Sequence, residues 1–521
     1  MSATLTPPAP AVTEPGRTPG PWRAVLALAR FEARELLLYI PVLVFLLLYT
    51  GYTLWQSFFH RDGMDDYPVL HYVDRGTQSG PLLVAIAVFL CVNRAALRSH
   101  RQGTDQHFDV LPVPPWQRTL AHALSVVPVA AVVALVVTAE FTVAALRPGA
   151  VGHGSVAELA VGPLSVLLAG VLGVLLARLV RSSFPAPLFV IGLYVAVTLV
   201  AVAADGTDPD GVNWLSPVVD QSGGKPVPSD LLGRPAGWHA LYLIGLAVLL
   251  LGAALLRSGL RSRSLGALTA LAVAATGAGI AGQSTAGTDQ VRAARTTASV
   301  HPEKVQRCVP HGTNVYCAFP EWTGTTADWA AVADRVQRLA GGTAEHRRLT
   351  VRQRLEARYG LTSDSALEPL TGPGQVTVGT RWGGNRVPEF AVGVASVLVA
   401  GDEKAAGALC DARVVTVMWL ALAAQPHPMD ALRDVRLDDS VTGSAIALAP
   451  TEPVSMSAAQ TDVVRELLAE PPARVTAAVK AHWDELTSPR TSLARVAQLL
   501  GVPAPAKGEK AEEGDGDSCD A

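Results

Sequence analysis

Between about residues 36 and 288 this chain alternates long apolar runs with short polar stretches, and no other feature limits its fold so strongly. A helix advances about 1.5 Å per residue, so roughly 20 apolar residues cross the ~30 Å hydrocarbon core of a bilayer. Six runs meet that length, at about 36–57, 79–97, 120–146, 158–177, 184–204 and 238–256. A seventh, about 265–285, is built from Ala, Gly, Leu and Thr with no charge before Asp289, and its small residues suit tight helix contacts. Only 17% of the 521 residues are charged, against about 25% in soluble domains, and the deficit falls in this half. The expected fold is an all-α membrane protein: a polytopic bundle of six to seven transmembrane helices (21–288), then a mainly helical extracytoplasmic domain (289–503).

Orientation follows from Lys and Arg in the short connections, which stay on the cytoplasmic side. Arg17, Arg23, Arg30 and Arg34 precede the first run. Arg94, Arg98, Arg101 and Arg118 flank the second loop, Arg178 and Arg181 follow the fourth run, and Arg257, Arg261 and Arg263 follow the sixth. The alternate loops hold few basic residues among many aspartates. The N-terminus is therefore expected inside and, with seven spans, the domain after 285 outside a plasma membrane; without the seventh span that domain would be cytoplasmic. Residues 21–35 read either as an amphipathic helix lying on the inner leaflet or as a charged flank of the first span.

Of five cysteines, Cys91 lies in an apolar run and reads as a small hydrophobe. Cys308 and Cys317 bracket a Pro-, Gly- and Asn-containing stretch, so a local disulfide is expected if the compartment is oxidising. Residues 1–20 have no periodicity and no signal-peptide pattern; they and the acidic tail 504–521 read as disordered.

The loop "NRAALRSHRQGTDQHFDVLPVPPWQRTLAHAL", 93–124, is longer than a connector needs. It holds a helix-compatible stretch, Gly103–Thr104, then Val110 and Leu111 ended by Pro112, Pro114 and Pro115. Here the sequence resembles the permease subunits of type-2 ABC transporters, with Arg98, Gly103, Thr104, Leu111, Pro112, Trp116, Gln117 and Arg118 in comparable places. Asp105, His107 and Phe108 depart from that family's Glu-Leu-Leu core. The stretch 234–257, and "CVPHGTNVYC" followed by "AFPEW", resemble the last span and the start of the extracytoplasmic extension in actinobacterial relatives. The resemblance implies that this loop is a coupling helix docked on a separate ABC ATPase; the residues themselves read either as Gly103 for close approach with Thr104 capping the short helix after it, or as a Gly-Thr pair that merely turns the chain. It further implies a second permease copy or paralogue, ATP and Mg on the partner, no cofactor on this chain, and export as the direction. A different reading is a non-transporting receptor or scaffold whose spans anchor an external sensing domain.

The string "GAGIAGQS", 277–284, has Walker-like glycine spacing, but Gln283 stands where a phosphate-binding Lys is needed, and small-residue packing explains it. Protease, hydrolase and zinc signatures are missing, the histidines are scattered, and no metal site or nucleic-acid partner is expected. Glu140 either lines a pathway or snorkels to the interface. In the second domain, Ser457 and Gln460 form a capping-box pattern, 374–381 is the clearest strand, 414–424 reads as a buried helix, and Trp329, Trp419 and Trp483 read as core anchors.

Overall fold

The computed structural model describes residues 21–59, 63–104, 113–203, 215–217, 225–233, 235–284, 288–359 and 367–504. Helix α1 (Pro21–Leu37) precedes α2 (Ile40–Phe58), α3 (Leu70–Ala96), α4 (Pro115–Ala145), α5 (Val156–Leu179), α6 (Pro185–Ala203), α7 (Ala236–Arg257) and α8 (Arg263–Ser284). Six of these, α2–α5, α7 and α8, are long and apolar enough to cross a membrane, so the chain is a multi-pass membrane protein. The fifth apolar run forms α6, whose Ile191, Tyr194 and Leu199 are exposed.

Side-chain size decides how closely the helices approach. A Cβ on Gly173 of α5 would stand 2.6 Å from the Phe89 carbonyl oxygen of α3, and one on Gly279 of α8 would stand 2.7 Å from the Tyr242 backbone of α7. The Walker-like string thus lies inside α8 as a packing surface. Its Gln283 is buried and hydrogen-bonds His239 Nδ1 of α7 at 2.8 Å.

The second domain is mainly helical, and the strand expected at 374–381 is present as part of a larger sheet. It contains a four-stranded sheet, β1 (Arg307–His311), β2 (Asn314–Ala318), β3 (Thr350–Gln353) and β4 (Gln375–Val378), in the order β1-β2-β3-β4. The β1–β2 pair is antiparallel, with Gly312 at φ +59° in its turn; the other two pairs are parallel. Parallel pairing needs a crossover, which Thr326–Leu339 supplies between β2 and β3. A second, two-stranded sheet joins Ala445–Ala447 to Val454–Met456. Strands of three to five residues are too short to show a period of two, and Pro310, which weakens a strand reading, sits on the edge strand where proline is tolerated.

Helices cover the sheet. Arg386–Ala400 and Arg413–Ala423 are buried along most of their length, Trp329 and Trp419 are fully buried, and Trp483 is nearly so. Ser457 and Gln460 form the reciprocal capping box. The buried helix expected at 414–424 is Arg413–Ala423, preceded by the short helix Glu403–Gly407.

One hydrophobic cluster runs from this domain into the bundle, joining Trp322 and Trp382 to Val69, Val151, Val227, Leu231 and Leu232. The connections α2–α3, α4–α5 and the segment before α7 therefore gather at the end of the bundle that carries the domain. The chain alternates, so the connections α3–α4, α5–α6 and α7–α8 lie at the opposite, far end.

Candidate functional site

At the far end, α1 lies against the start of α4. Val25 and Ala29 pack on Ala121, while Trp22, Leu26 and Phe31 point outward and are exposed. The helix is amphipathic twice over, with one apolar face on the bundle and a second turned away. Its inward stripe includes Glu32, whose carboxylate stands 3.7 Å from Arg98 Nη2 and 3.7 Å from His122 Nδ1. Glu35 faces the same Arg98 guanidinium at 3.7 Å. Burial pushes the Glu32 carboxyl above its ordinary range; Arg98 opposes that shift and Glu35 adds to it.

Past α3 the chain makes one turn of helix, Arg98–Arg101, and then leaves it at Gly103, whose φ is +67°. A Cβ on Gly103 would meet nothing within 4 Å, so the turn stands clear of the bundle. The stretch that Thr104 is expected to cap, from 105, lies outside the described residues. The Thr104 hydroxyl donates back to the Ser99 carbonyl at 3.3 Å, closing the preceding turn. Leu111 and Pro112 lie outside the described residues. Trp116 and Arg118 sit half-buried in the first turns of α4, and Thr119 Oγ1 is 2.6 Å from Ser258 Oγ at the end of α7, which ties this segment to a second helix pair. Arg98, Gly103, Thr104, Trp116 and Arg118 thus share one end of the molecule.

Between α1, α3 and the start of α4 lies a cavity of about 320 Å³. Glu32, Glu35, Arg94, Arg98 and Arg101 form its polar wall, and Leu36, Tyr39 and Val92 its apolar one.

The opposite end carries the docked domain. Glu321 accepts from Ser229 N at 3.2 Å and from Ser229 Oγ at 2.5 Å, and stands 3.9 Å from His71 Nε2. That same His71 nitrogen is 2.6 Å from the Val227 carbonyl. Arg295 Nε donates to the Leu231 carbonyl at 2.9 Å. Behind this seam, Asp74 and Arg75, which read as loop charges, are buried inside α3. Asp74 accepts from Ser155 N at 2.8 Å, and Glu158 meets Gln78 at 2.5 Å and Arg75 at 3.4 Å. No local pattern announces this cluster, because its members come from α3 and α5, 80 residues apart for the Gln78–Glu158 bond.

Glu140 is half-buried on α4 and interacts electrostatically with Tyr49 of α2. Cys308 and Cys317 are direct partners across β1–β2 and form a disulfide; Cys91 is buried and free. Among the described residues no group of three or more His, Cys, Asp and Glu stands close enough to share a metal ion.

These features define a class: a multi-pass helical membrane protein with an α/β domain docked on one end of its bundle. No family model matches the chain, and neither a curated protein nor a solved structure does.

Proposed function

We propose that this chain is the membrane-spanning subunit of an ATP-driven exporter, coupled to a separate ATPase through the segment 94–118 at the far end, with that end cytoplasmic and the docked domain outside. The observation that carries the reading is the way this segment is held. Arg98 is gripped by Glu32 and Glu35 of α1, Thr119 is tied to the end of α7, and the Gly103 turn between them is exposed. A push delivered at such a turn passes into several helices together, as conversion of ATP-site closure into helix tilt requires. The basic character of this end and the oxidised Cys308–Cys317 pair at the other agree with the orientation.

The test is affinity capture of the full chain from its native membranes. A stoichiometric ATP-hydrolysing chain is expected with the wild type and with Gly103→Asn, since Asn tolerates positive φ. It should be lost with Gly103→Glu while the protein still inserts. Capture without any ATPase would leave the spans as an anchor for the outer domain, the receptor or scaffold reading.

A further inference from the structure

The cavity beneath α1 has an arrangement of charge that the coupling role does not use. Arg98 is divided between Glu32 and Glu35, so its charge is answered twice. Arg94 and Arg101 line the same wall, and among the described residues no carboxylate or carbonyl lies within ion-pair or hydrogen-bond distance of either guanidinium. Three arginines against two carboxylates leave the wall cationic, and the two unanswered groups sit on its exposed side.

The apolar part of the lining reaches the outside at Tyr39, which is exposed. Leu36 and Val92 are buried in the bundle's own core, whereas Tyr39 stands at the break between α1 and α2, flanked by Leu38 and Ile40, which are 70% and 74% exposed. Exposed apolar residues at the first turn of a spanning helix are where acyl chains begin. A cationic lining beside an exposed apolar rim, Leu38–Tyr39–Ile40, at the first turn of a spanning helix matches an amphiphile with an anionic head. A free anion would leave the exposed Leu38–Tyr39–Ile40 rim uncovered.

We propose that this cavity binds one anionic phospholipid, its phosphate held by Arg94 and Arg101 and its upper acyl chain laid along Tyr39 and Ile40. The lipid fills the space between α1 and the bundle and so fixes α1 against Arg98. The site stands on its own geometry, whether or not an ATPase partner is found.

Native mass spectrometry of the detergent-purified full chain, with phosphatidylglycerol titrated against phosphatidylcholine, tests it. One phosphatidylglycerol should be retained in preference to phosphatidylcholine. Arg94→Gln with Arg101→Gln should weaken that preference about 25-fold, the product of two interfacial arginines at roughly fivefold each. The matched variant Arg257→Gln with Arg263→Gln removes the same charge from the same end outside the cavity and should leave the preference intact. Equal loss in both variants would mean diffuse attraction to a basic surface and would overturn the site. Displacement of the lipid by inorganic phosphate alone would overturn the assignment to a phospholipid.

Discussion

At the scale of single residues, the domain's most buried charge shows how a cation is kept out of water. The Arg436 side chain is fully buried, and its guanidinium donates to Asp438 at 3.1 and 3.2 Å, Ser440 at 3.0 Å, the Thr442 carbonyl at 2.7 Å and Thr461 at 3.0 Å. Those bonds, the Arg436 hydrogen bond first and Ser440 next, hold the Asp438 carboxyl well below the usual carboxylate range. A depressed carboxyl stabilises the fold above its unfolded value, and the contribution disappears as pH falls through the folded one. The thermal midpoint should therefore fall as the solution is acidified below the ordinary aspartate value of about 4. Asp438→Asn should begin lower at neutral pH and fall less on acidification. Because the Asp438 side chain is 43% exposed, the difference is expected to stay under about 1 kcal/mol. Parallel midpoint curves for the two proteins would remove the Asp438 contribution.

At the scale of helices and strands, contact distance separates structural glycines from incidental ones. The Cβ that alanine adds at Gly173 meets a backbone carbonyl, which cannot swing away, whereas at Gly192 of α6 it meets nothing within 4 Å. Gly173→Ala should cost about 1–3 kcal/mol as α3 and α5 are pried apart. Gly192→Ala should be neutral or gain up to about 1 kcal/mol from helix propensity. Thermal unfolding in detergent measures both, and a harmless Gly173→Ala would refute the close α3–α5 contact. The helices themselves were legible in the sequence, because length and apolarity alone mark a span. Of the strands only β4 was, inside 374–381: "RCVPH" and "TVRQ" are too short for a period, and "TVRQ" is stabilised by partners far along the chain. The far-end site was legible in part. Arg98 and Gly103 stand out as a loop motif, but their engagement by Glu32 and Glu35 depends on α1 folding back, which no spacing encodes. The buried stripe of α1 passes through Val25, Ala29, Ala33 and Leu36 and leaves Phe31 outside.

At the scale of the whole molecule, the seam between domain and bundle decides whether a displacement at one end is felt at the other. The shared cluster from Val69 to Trp322, together with the close approach of Gly63 to Gly384, makes the α2–α3 connection part of the domain's core. Glu321 is the polar pin of that seam, since it serves the Ser229 backbone and hydroxyl and faces His71 at the start of α3. Glu321→Ala strands a partly buried backbone donor, a loss of about 1–3 kcal/mol, or roughly fivefold to 150-fold in the local opening equilibrium. Hydrogen exchange in 225–233 and in the first turn of α3 should accelerate by that factor, while the sheet β1–β4 and the far-end turn Arg98–Arg101 keep their wild-type rates. Acceleration spread evenly over domain and bundle would show instead that the variant unfolds the protein globally and that Glu321 does not pin the seam. Unchanged exchange in 225–233 would place the docking strength in the apolar cluster alone, and the coupling of the two ends would then rest on Val69, Val227 and Trp322.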